Sequence, residues 1–209
     1  MYQCVKRAID MMFALLLLIF ASIPMLIVAI AIKLEDGGPV IYKSKRMGKG
    51  LKTFNTYKFR SMKTNREELH SKLSHEQMVT KVGRFIRKTS LDELPQLFNV
   101  LKGEMSFIGP RPWIPEYYEW FTEEQKKRVD VLPGISGLAQ AKGRNGINIF
   151  KKIEYDLEYV EHMSLWMDIK CIYLTIVTVL KKDSAEISEQ GIKQEIEELK
   201  HQELYTKVV

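Results

Sequence analysis

Cysteine is nearly missing from this 209-residue chain, which has only Cys4 and Cys171. They form no C-x-x-C pair and no framework of bridges, which excludes a disulfide-stapled secreted domain and a cysteine zinc site. Histidine is equally scarce: His70, His75, His162 and His201 stand on polar stretches at spacings that hold no metal. Charge is missing from Met11 to Ile32, 22 consecutive residues. Acid is missing from Gly37 to Arg66, a stretch with nine basic residues. No internal repeat or low-complexity tract is visible.

The uncharged run would make a straight helix about 33 Å long, enough to cross a hydrocarbon core of about 30 Å. It does not read as a cleaved signal peptide. The run is too long, no small-x-small site follows it, and Lys33-Leu34-Glu35-Asp36 leads directly onward. Pro24 stands near its middle, where it removes one backbone hydrogen bond and crowds the preceding turn. Lys6 and Arg7 precede the run, and Lys33, Lys43, Lys45 and Arg46 follow it, so the positive-inside bias places both ends on the cytoplasmic side. A helix broken at Pro24 into pieces of about 20 and 12 Å enters and leaves by one face. We therefore read a re-entrant helix–break–helix rather than a span. The basic block beyond it suits anionic phospholipid headgroups. Nucleic acid is the other standard partner of such a block, but the apolar run already fixes the location at a membrane, so no nucleic acid is expected.

The length allows one domain plus a membrane element. The expected division is a membrane hairpin over residues 1–36, an interfacial catalytic domain over 37–182 and a polar tail over 183–209. The fold class is α+β: a compact, mostly helical domain with a small β-hairpin. That hairpin is Val40–Met47 and Phe54–Met62, with Gly48-Lys49-Gly50 between them. Arg66–Val79 reads as an exposed helix or linker. Leu91, Leu94, Leu97, Phe98 and Leu101 make one apolar helical face, closed by Gly103. Ser106–Ile108 reads as a strand and Pro115–Val131 as a helix. The aromatics Trp113, Tyr117, Tyr118, Trp120 and Phe121 are divided in expectation between core and membrane interface. Pro133–Gly137 and Gly143–Gly146 read as turns that let backbone approach a ligand. Leu165–Leu180 reads as an amphipathic interfacial or packing helix.

The chemistry gathers at Ser90-Leu91-Asp92-Glu93 and at Gly109-Pro110-Arg111-Pro112. Ser-x-x-Glu is also a capping box, in which the two side chains only satisfy backbone amides. Side chains at i and i+1 of a helix diverge by about 100°, which does not suit a glycosidase pair facing across a sugar. An adjacent pair suits another division of labour, with one carboxylate attacking phosphorus and its neighbour holding Mg²⁺. A pyrophosphate substrate then needs cations, and Lys58, Arg60, Arg87, Arg111 and Arg144 are the candidates. Arg111 stands out because prolines stiffen it on both sides. Two rivals remain at this point. One is a membrane phosphatase or phosphodiesterase with water as acceptor; the other is a non-catalytic adaptor in which the dyad is only a cap.

Lys58-Phe59-Arg60-Ser61-Met62, the run Ser90–Gly103, Gly109-Pro110-Arg111-Pro112, Pro133-Gly134-Ile135-Ser136-Gly137 and Gly143-Arg144-Asn145 together resemble the bacterial sugar transferase family. These are the small monotopic phosphoglycosyl transferases, and the resemblance runs from about Lys6 to Leu180. It implies transfer of sugar-1-phosphate from a UDP-sugar to undecaprenyl phosphate with release of UMP, at the cytoplasmic face of the bacterial inner membrane. It implies a covalent phosphosugar on Asp92, Mg²⁺ held at Asp92 and Glu93, and a ping-pong order. It also implies nucleotide or sugar contacts at Pro110, Pro112 and Asn145. The family commonly shows Ser-Pro at its helix break. Here Ile23 precedes Pro24 and Ser22 stands one position earlier, so Ser22 and Pro24 mark the expected break. The sugar, the glycan pathway and the oligomeric state stay open, a homodimer included.

Overall fold

The computed structural model describes residues 2–64, 75–143, 147–180 and 194–200. They gather into two compact units. One takes residues 9–44 and 55–102, and the other takes residues 1–8, 45–54 and 103 onward.

In the first unit, helix α1 (Tyr2–Asp36) supplies residues 9–36. Its conformation stays helical through Pro24. The break expected at Pro24 is not marked by an interruption of the helix: the proline stands inside one element, whose other backbone groups keep their helical partners. Ser22 Oγ donates to the Ile19 carbonyl at 2.7 Å, one residue before the Phe20 carbonyl that Pro24 leaves free. Only 11% of the most apolar 18-residue stretch of α1 is buried, and Phe20 and Ile23 are about 70% exposed. One narrow side is covered. Val28 and Ile32 pack with Phe59 and Ile86, flanked by Leu91 and Leu94.

The end of α1 is tied down by charge. Gly37, at φ +70°, terminates it, and Lys33 Nζ donates to the Gly37 and Gly38 carbonyls at 2.8 and 3.1 Å. Glu35 accepts the N–H groups of Lys81 and Val82 at 2.7 and 3.1 Å, at the start of helix α2 (Lys81–Lys88). The expected hairpin is present as strands β1 (Ile41–Met47) and β2 (Thr53–Phe59). Helix α3 (Gln96–Lys102) is stapled to β2 by Asn99, whose amide donates to the Asn55 carbonyl and accepts from the Tyr57 N–H. The helix expected from Leu91 starts only at Gln96. Pro95 has no N–H to bond back to Leu91, so the chain first makes a single 3₁₀ turn over Leu91–Glu93.

In the second unit, β3 (Ser106–Ile108) pairs in parallel with β4 (Gly134–Ser136), aligning Ser106 with Gly134 and Ile108 with Ser136. Residues 133–137, read as a turn for ligand approach, are therefore partly strand. The two glycine motifs serve each other. A Cβ on Gly134 would lie 2.2 Å from the Gly109 nitrogen, and one on Gly137 would lie 2.1 Å from the Gly109 oxygen. The expected helix over Pro115–Val131 is instead three short turns, Pro115–Glu119, Glu123–Lys126 and Lys127–Val129. Thr122 restarts the chain with a capping box to Gln125.

Helices α4 (Leu138–Gly143), α5 (Ile149–Glu161) and α6 (Leu165–Leu180) complete this unit. Trp113, Tyr117, Tyr118 and Phe121 are all buried together, so these four are core rather than interface. Helix α6 is two-sided. Cys171 is fully buried, while Trp166, Tyr173 and Ile176 are 54–79% exposed. Burial also pushes the Cys171 thiol up to about 11, which leaves it inert. Residues 194–200 are helical, and Leu199 is buried against the aromatic cluster, so part of the expected polar tail joins a core. Glu195 joins there too, accepting from the Tyr117 hydroxyl at 2.7 Å and the Lys152 ammonium at 2.5 Å.

Candidate active site

The dyad sits on the 3₁₀ turn between α2 and α3. Ser90 opens that turn in the left-handed region, at φ +57° and ψ +15°, and its side chain makes no cap bond. The capping-box alternative at Ser90 and Glu93 is therefore overturned. A non-glycine residue held there costs about 1–3 kcal/mol, and such strain gathers at functional turns. Successive side chains on a 3₁₀ turn diverge by about 120°. Asp92 and Glu93 are nevertheless both within reach of one cation. Lys58 of β2 donates to Glu93 Oε1 at 2.6 Å and stands 4.0 Å from Asp92 Oδ2. Neither carboxylate is sealed off, since Asp92 and Glu93 keep 14% and 22% of their side-chain surface.

The Asp92 carboxylate stands under opposing influences. Loss of water pushes its pKa up, Lys58 pulls it down, Glu93 pushes it up again, and Arg87 adds a further pull down. The net direction is upward. Arg87 is oriented by Ser61, whose Oγ accepts from its Nε at 2.8 Å. Gly83 allows that arrangement, because a Cβ there would lie 2.0 Å from the Ser61 carbonyl oxygen. Lys58, Arg87, Asp92 and Glu93 thus form one electrostatic group.

Arg60 is committed elsewhere. Its guanidinium grips both oxygens of Asp36 and donates to the Pro39 and Met62 carbonyls, and the residue is 8% exposed. That set of bonds makes it the clasp at the end of α1. Its sequence-level assignment as a phosphate ligand is corrected on that ground. Arg111, Pro110 and Pro112 belong to the other unit. The Arg111 side chain is exposed, while its carbonyl accepts from Arg128 Nη2 at 2.7 Å. The Pro110 carbonyl accepts from Gly134 at 2.9 Å. Arg144 and Asn145 lie outside the described residues.

The sequence reading missed Arg128. Its side chain is 1% exposed and donates to Asp156 Oδ2 at 2.5 and 3.1 Å and to the Tyr118 hydroxyl at 2.5 Å. Its guanidinium carbon also stands 4.2 Å from the Trp113 ring centre. Burial works against its charge, but Tyr118 and Asp156 more than offset that and raise its pKa. No local pattern separates it from its neighbours Lys126 and Lys127.

Among the described residues, no three His, Cys, Asp or Glu side chains gather around a common point that could hold a metal. Two carboxylates still suit Mg²⁺, which keeps several waters and completes its shell with substrate phosphate oxygens. The residues present therefore fit that ion as a partner of the substrate, in the place Lys58 now shares.

The family model described as bacterial sugar transferase matches residues 1–182. The uncharacterized sugar transferase EpsL of Bacillus subtilis is 45% identical over 175 residues, covering 84% of this chain and 87% of that protein. The undecaprenyl-phosphate galactose phosphotransferase of Salmonella typhimurium is 40% identical over 197 residues, covering 86% of this chain and 41% of that protein. The UDP-glucose:undecaprenyl-phosphate glucose-1-phosphate transferase of Escherichia coli is 42% identical over 184 residues, covering 83% of this chain and 40% of that protein. This chain spans well under half the length of the last two. With the dyad, its cations and the paired glycine motifs in place, the chain belongs to the bacterial sugar transferase family.

Proposed function

We propose that this protein transfers sugar-1-phosphate from a UDP-sugar to undecaprenyl phosphate and releases UMP, the first membrane step of a polysaccharide or glycoconjugate. The observation that carries the reading is the strained turn that presents Asp92 and Glu93 to Lys58. An Asp92 oxygen attacks the phosphorus that bears the sugar. The new aspartyl–phosphorus bond forms as the bond to UMP breaks, and UMP leaves with the electron pair. A phosphate oxygen of the carrier then attacks the same phosphorus, which breaks the aspartyl bond and restores the carboxylate. Lys58 and Arg87 oppose the charge that gathers on the phosphoryl oxygens. Arg111 is the candidate grip on the diphosphate, since its fork can hold two oxygens. Asp92 and Glu93 would hold Mg²⁺, which supplies further charge neutralisation of the diphosphate.

The reading extends to the membrane. Tyr2 and Lys6 at one end of α1 donate to Asp168, and Asp36 at the other end is held by Arg60. From Asp36 to Asp168, no second helix among the described residues is long and apolar enough to cross a bilayer. We read α1 as re-entrant, with both ends on the cytoplasmic face, because basic residues flank its uncharged run on both sides, Lys6 and Arg7 before it and Lys33 after it. A soluble nucleotide sugar and a lipid-bound acceptor must meet at that surface.

The test is a panel of UDP-galactose, UDP-glucose and UDP-N-acetylgalactosamine with undecaprenyl phosphate and the purified full chain, scored by UMP release. Carrier-dependent UMP release from one of them is expected. Release of free sugar phosphate without any carrier would instead make the protein a hydrolase.

A further inference from the structure

The family match ends at residue 182, and the helical residues 194–200 lie beyond it. They belong to the unit that holds Arg111, where Leu199 is fully buried in the aromatic cluster and Ile196 packs against it. Apolar burial accounts for the docking of this segment. It does not account for Glu195, whose side chain keeps 16% of its surface and meets the Lys152 ammonium at 2.5 Å and the Tyr117 hydroxyl at 2.7 Å.

Lys152 has a second carboxylate on its own helix. Asp156 follows it by one turn of α5, the i, i+4 spacing at which side chains meet, and both residues are buried. Burial pushes the Asp156 carboxyl up overall, against pulls from Arg128 and Lys152. Asp156 Oδ2 accepts both bonds from Arg128, while Oδ1 is buried with no hydrogen-bond partner among the described residues. A bare carboxylate oxygen in the interior is destabilising, and a nearby ammonium would relieve it. The Lys152 ammonium is instead held by Glu195. Glu195, Lys152, Asp156 and Arg128 therefore make a row of alternating charge. It ends on the Arg111 carbonyl, which accepts from Arg128 Nη2 at 2.7 Å. Prolines on both sides of Arg111 carry the position of that backbone to its side chain.

We propose that Glu195 is a positioning residue for the nucleotide-sugar site: it holds Lys152 off Asp156, so that Asp156 stays on Arg128 and Arg128 keeps Arg111 in place for the diphosphate. This rests on the transferase reading above, in which Arg111 grips that diphosphate. Without the Glu195 charge, Lys152 turns to Asp156 Oδ1 and draws the carboxylate away from Arg128. The docked segment thus sets how well the UDP-sugar is held, and the KM for the carrier does not depend on it.

The test uses the full chain in phosphatidylglycerol nanodiscs, with the KM for UDP-sugar and for undecaprenyl phosphate measured separately. Glu195→Gln keeps the size and can still accept both hydrogen bonds, but loses the charge. It should raise the KM for UDP-sugar about three- to tenfold, and leave that for undecaprenyl phosphate within about twofold of wild type. Glu197→Gln, exposed on the same helix, should match wild type. Two combinations separate positioning from docking alone. Lys152→Met removes the competing ammonium, so adding it to Glu195→Gln should return the KM to within about twofold of wild type. In an Arg111→Lys background, Glu195→Gln should add less than about twofold. An unchanged KM for UDP-sugar in Glu195→Gln, equal rises for both substrates, no restoration by Lys152→Met, or full additivity with Arg111→Lys would overturn the proposal.

Hydrogen exchange gives a measurement independent of turnover. The Gly134 and Met47 N–H groups donate at 2.9 Å to the Pro110 and Trp113 carbonyls, on either side of Arg111. Their exchange should quicken at least about threefold in Glu195→Gln and slow again when Lys152→Met is added. Absence of UMP exchange into any UDP-sugar by the wild type would fail the transferase reading, leaving these two amides to decide the row: unchanged exchange in Glu195→Gln would sink it.

Discussion

Each unit of the molecule holds carboxylates against a cation, and the two groups are built in opposite ways. Arg128 and Asp156 each keep 1% of their side-chain surface, and the Arg128 fork is spent on Asp156, the Tyr118 hydroxyl and the Arg111 carbonyl. Lys58, Asp92 and Glu93 keep 14–26%, and one ammonium serves two carboxylates. The first group is buried and spent on the fold: the Arg128 fork holds the Arg111 backbone, the Tyr118 hydroxyl and Asp156 Oδ2, while Asp156 Oδ1 is buried with no hydrogen-bond partner among the described residues. The second is open: Lys58 lies against both carboxylates and Arg87 acts on Asp92 as well, yet both carboxylates keep part of their surface and stay within reach of an incoming group. The difference separates positioning from chemistry better than burial alone, since every one of these residues would score as partly or fully buried.

Asp92→Asn gives the sharpest test of that contrast. Turnover should fall by about a thousandfold or more, because an amide is a poor nucleophile at phosphorus, while the melting temperature barely moves. Intact-protein mass spectrometry after UDP-sugar addition should show an adduct in wild type and none in the variant; an adduct that persists would remove Asp92 as nucleophile. The pH profile sharpens the point. Burial raises the Asp92 pKa and the attacking form is ionised, so kcat/KM should climb with pH along an acid limb above the usual carboxylate range. Lys58 pulls that pKa down, so Lys58→Met should move the limb to higher pH. A limb that stays put would show that Lys58 does not act on Asp92.

Arg128→Met should show the opposite signature. Removing one partner of a buried pair strands the other charge, at a cost of about 3–5 kcal/mol. Thermal or urea unfolding should register that loss, and Arg128→Met combined with Asp156→Leu should recover much of it. If the double variant is as stable as wild type yet slow, with a higher KM for UDP-sugar, then the Arg111 carbonyl bond positions Arg111 as well as holding the fold. Normal kinetics in that variant would make Arg128 purely structural.

Arg111→Lys comes next in size. Charge is kept but the two-pronged grip is lost, so the rate should drop roughly ten- to a hundredfold, the worth of a charged hydrogen bond of about 1.5–3 kcal/mol. Lys49→Ala and Lys52→Ala, in the basic block, should change it little. Steady-state UMP release at saturating carrier separates these outcomes, and a wild-type rate in Arg111→Lys would make the proline-clamped arginine a fold element.

What was legible in the sequence follows the range of the interactions. The hairpin could be read, because alternation and Gly48-Lys49-Gly50 are local signals. The dyad could be read because two adjacent carboxylates after Ser90 are a local pattern. Arg128 could not, since a buried arginine looks like a surface one until its partner 28 residues away is in view. Arg60 misled for the same reason, its partner Asp36 being 24 residues back. The glycines of the two later motifs could be read as special, but not that each exists to let the other strand approach. Pro24 and Pro95 show the limit of reading breakers by rule. The first sits inside a continuous helix, whereas the second delays a helix by a full turn.

The smallest effect expected is at Ser90, and it tests whether the open group depends on strain. Ser90 and Leu51 are the two non-glycine residues with positive φ among the described residues. Glycine adopts that conformation without penalty, so Ser90→Gly removes the local strain but adds freedom to the unfolded chain. These terms oppose each other, and the stability change should stay within about 1 kcal/mol. Activity discriminates more finely. If the turn is held by its surroundings, through the Ser90 N–H to the Arg87 carbonyl and the Glu93 N–H to the Ser90 carbonyl, Ser90→Gly should keep at least about half the wild-type rate. Ser90→Val, β-branched and forced to positive φ, should lose stability and rate together. A slow Ser90→Gly with an unchanged melting temperature would mean that the serine hydroxyl itself meets the substrate, which would add a fifth side chain to the group of Lys58, Arg87, Asp92 and Glu93.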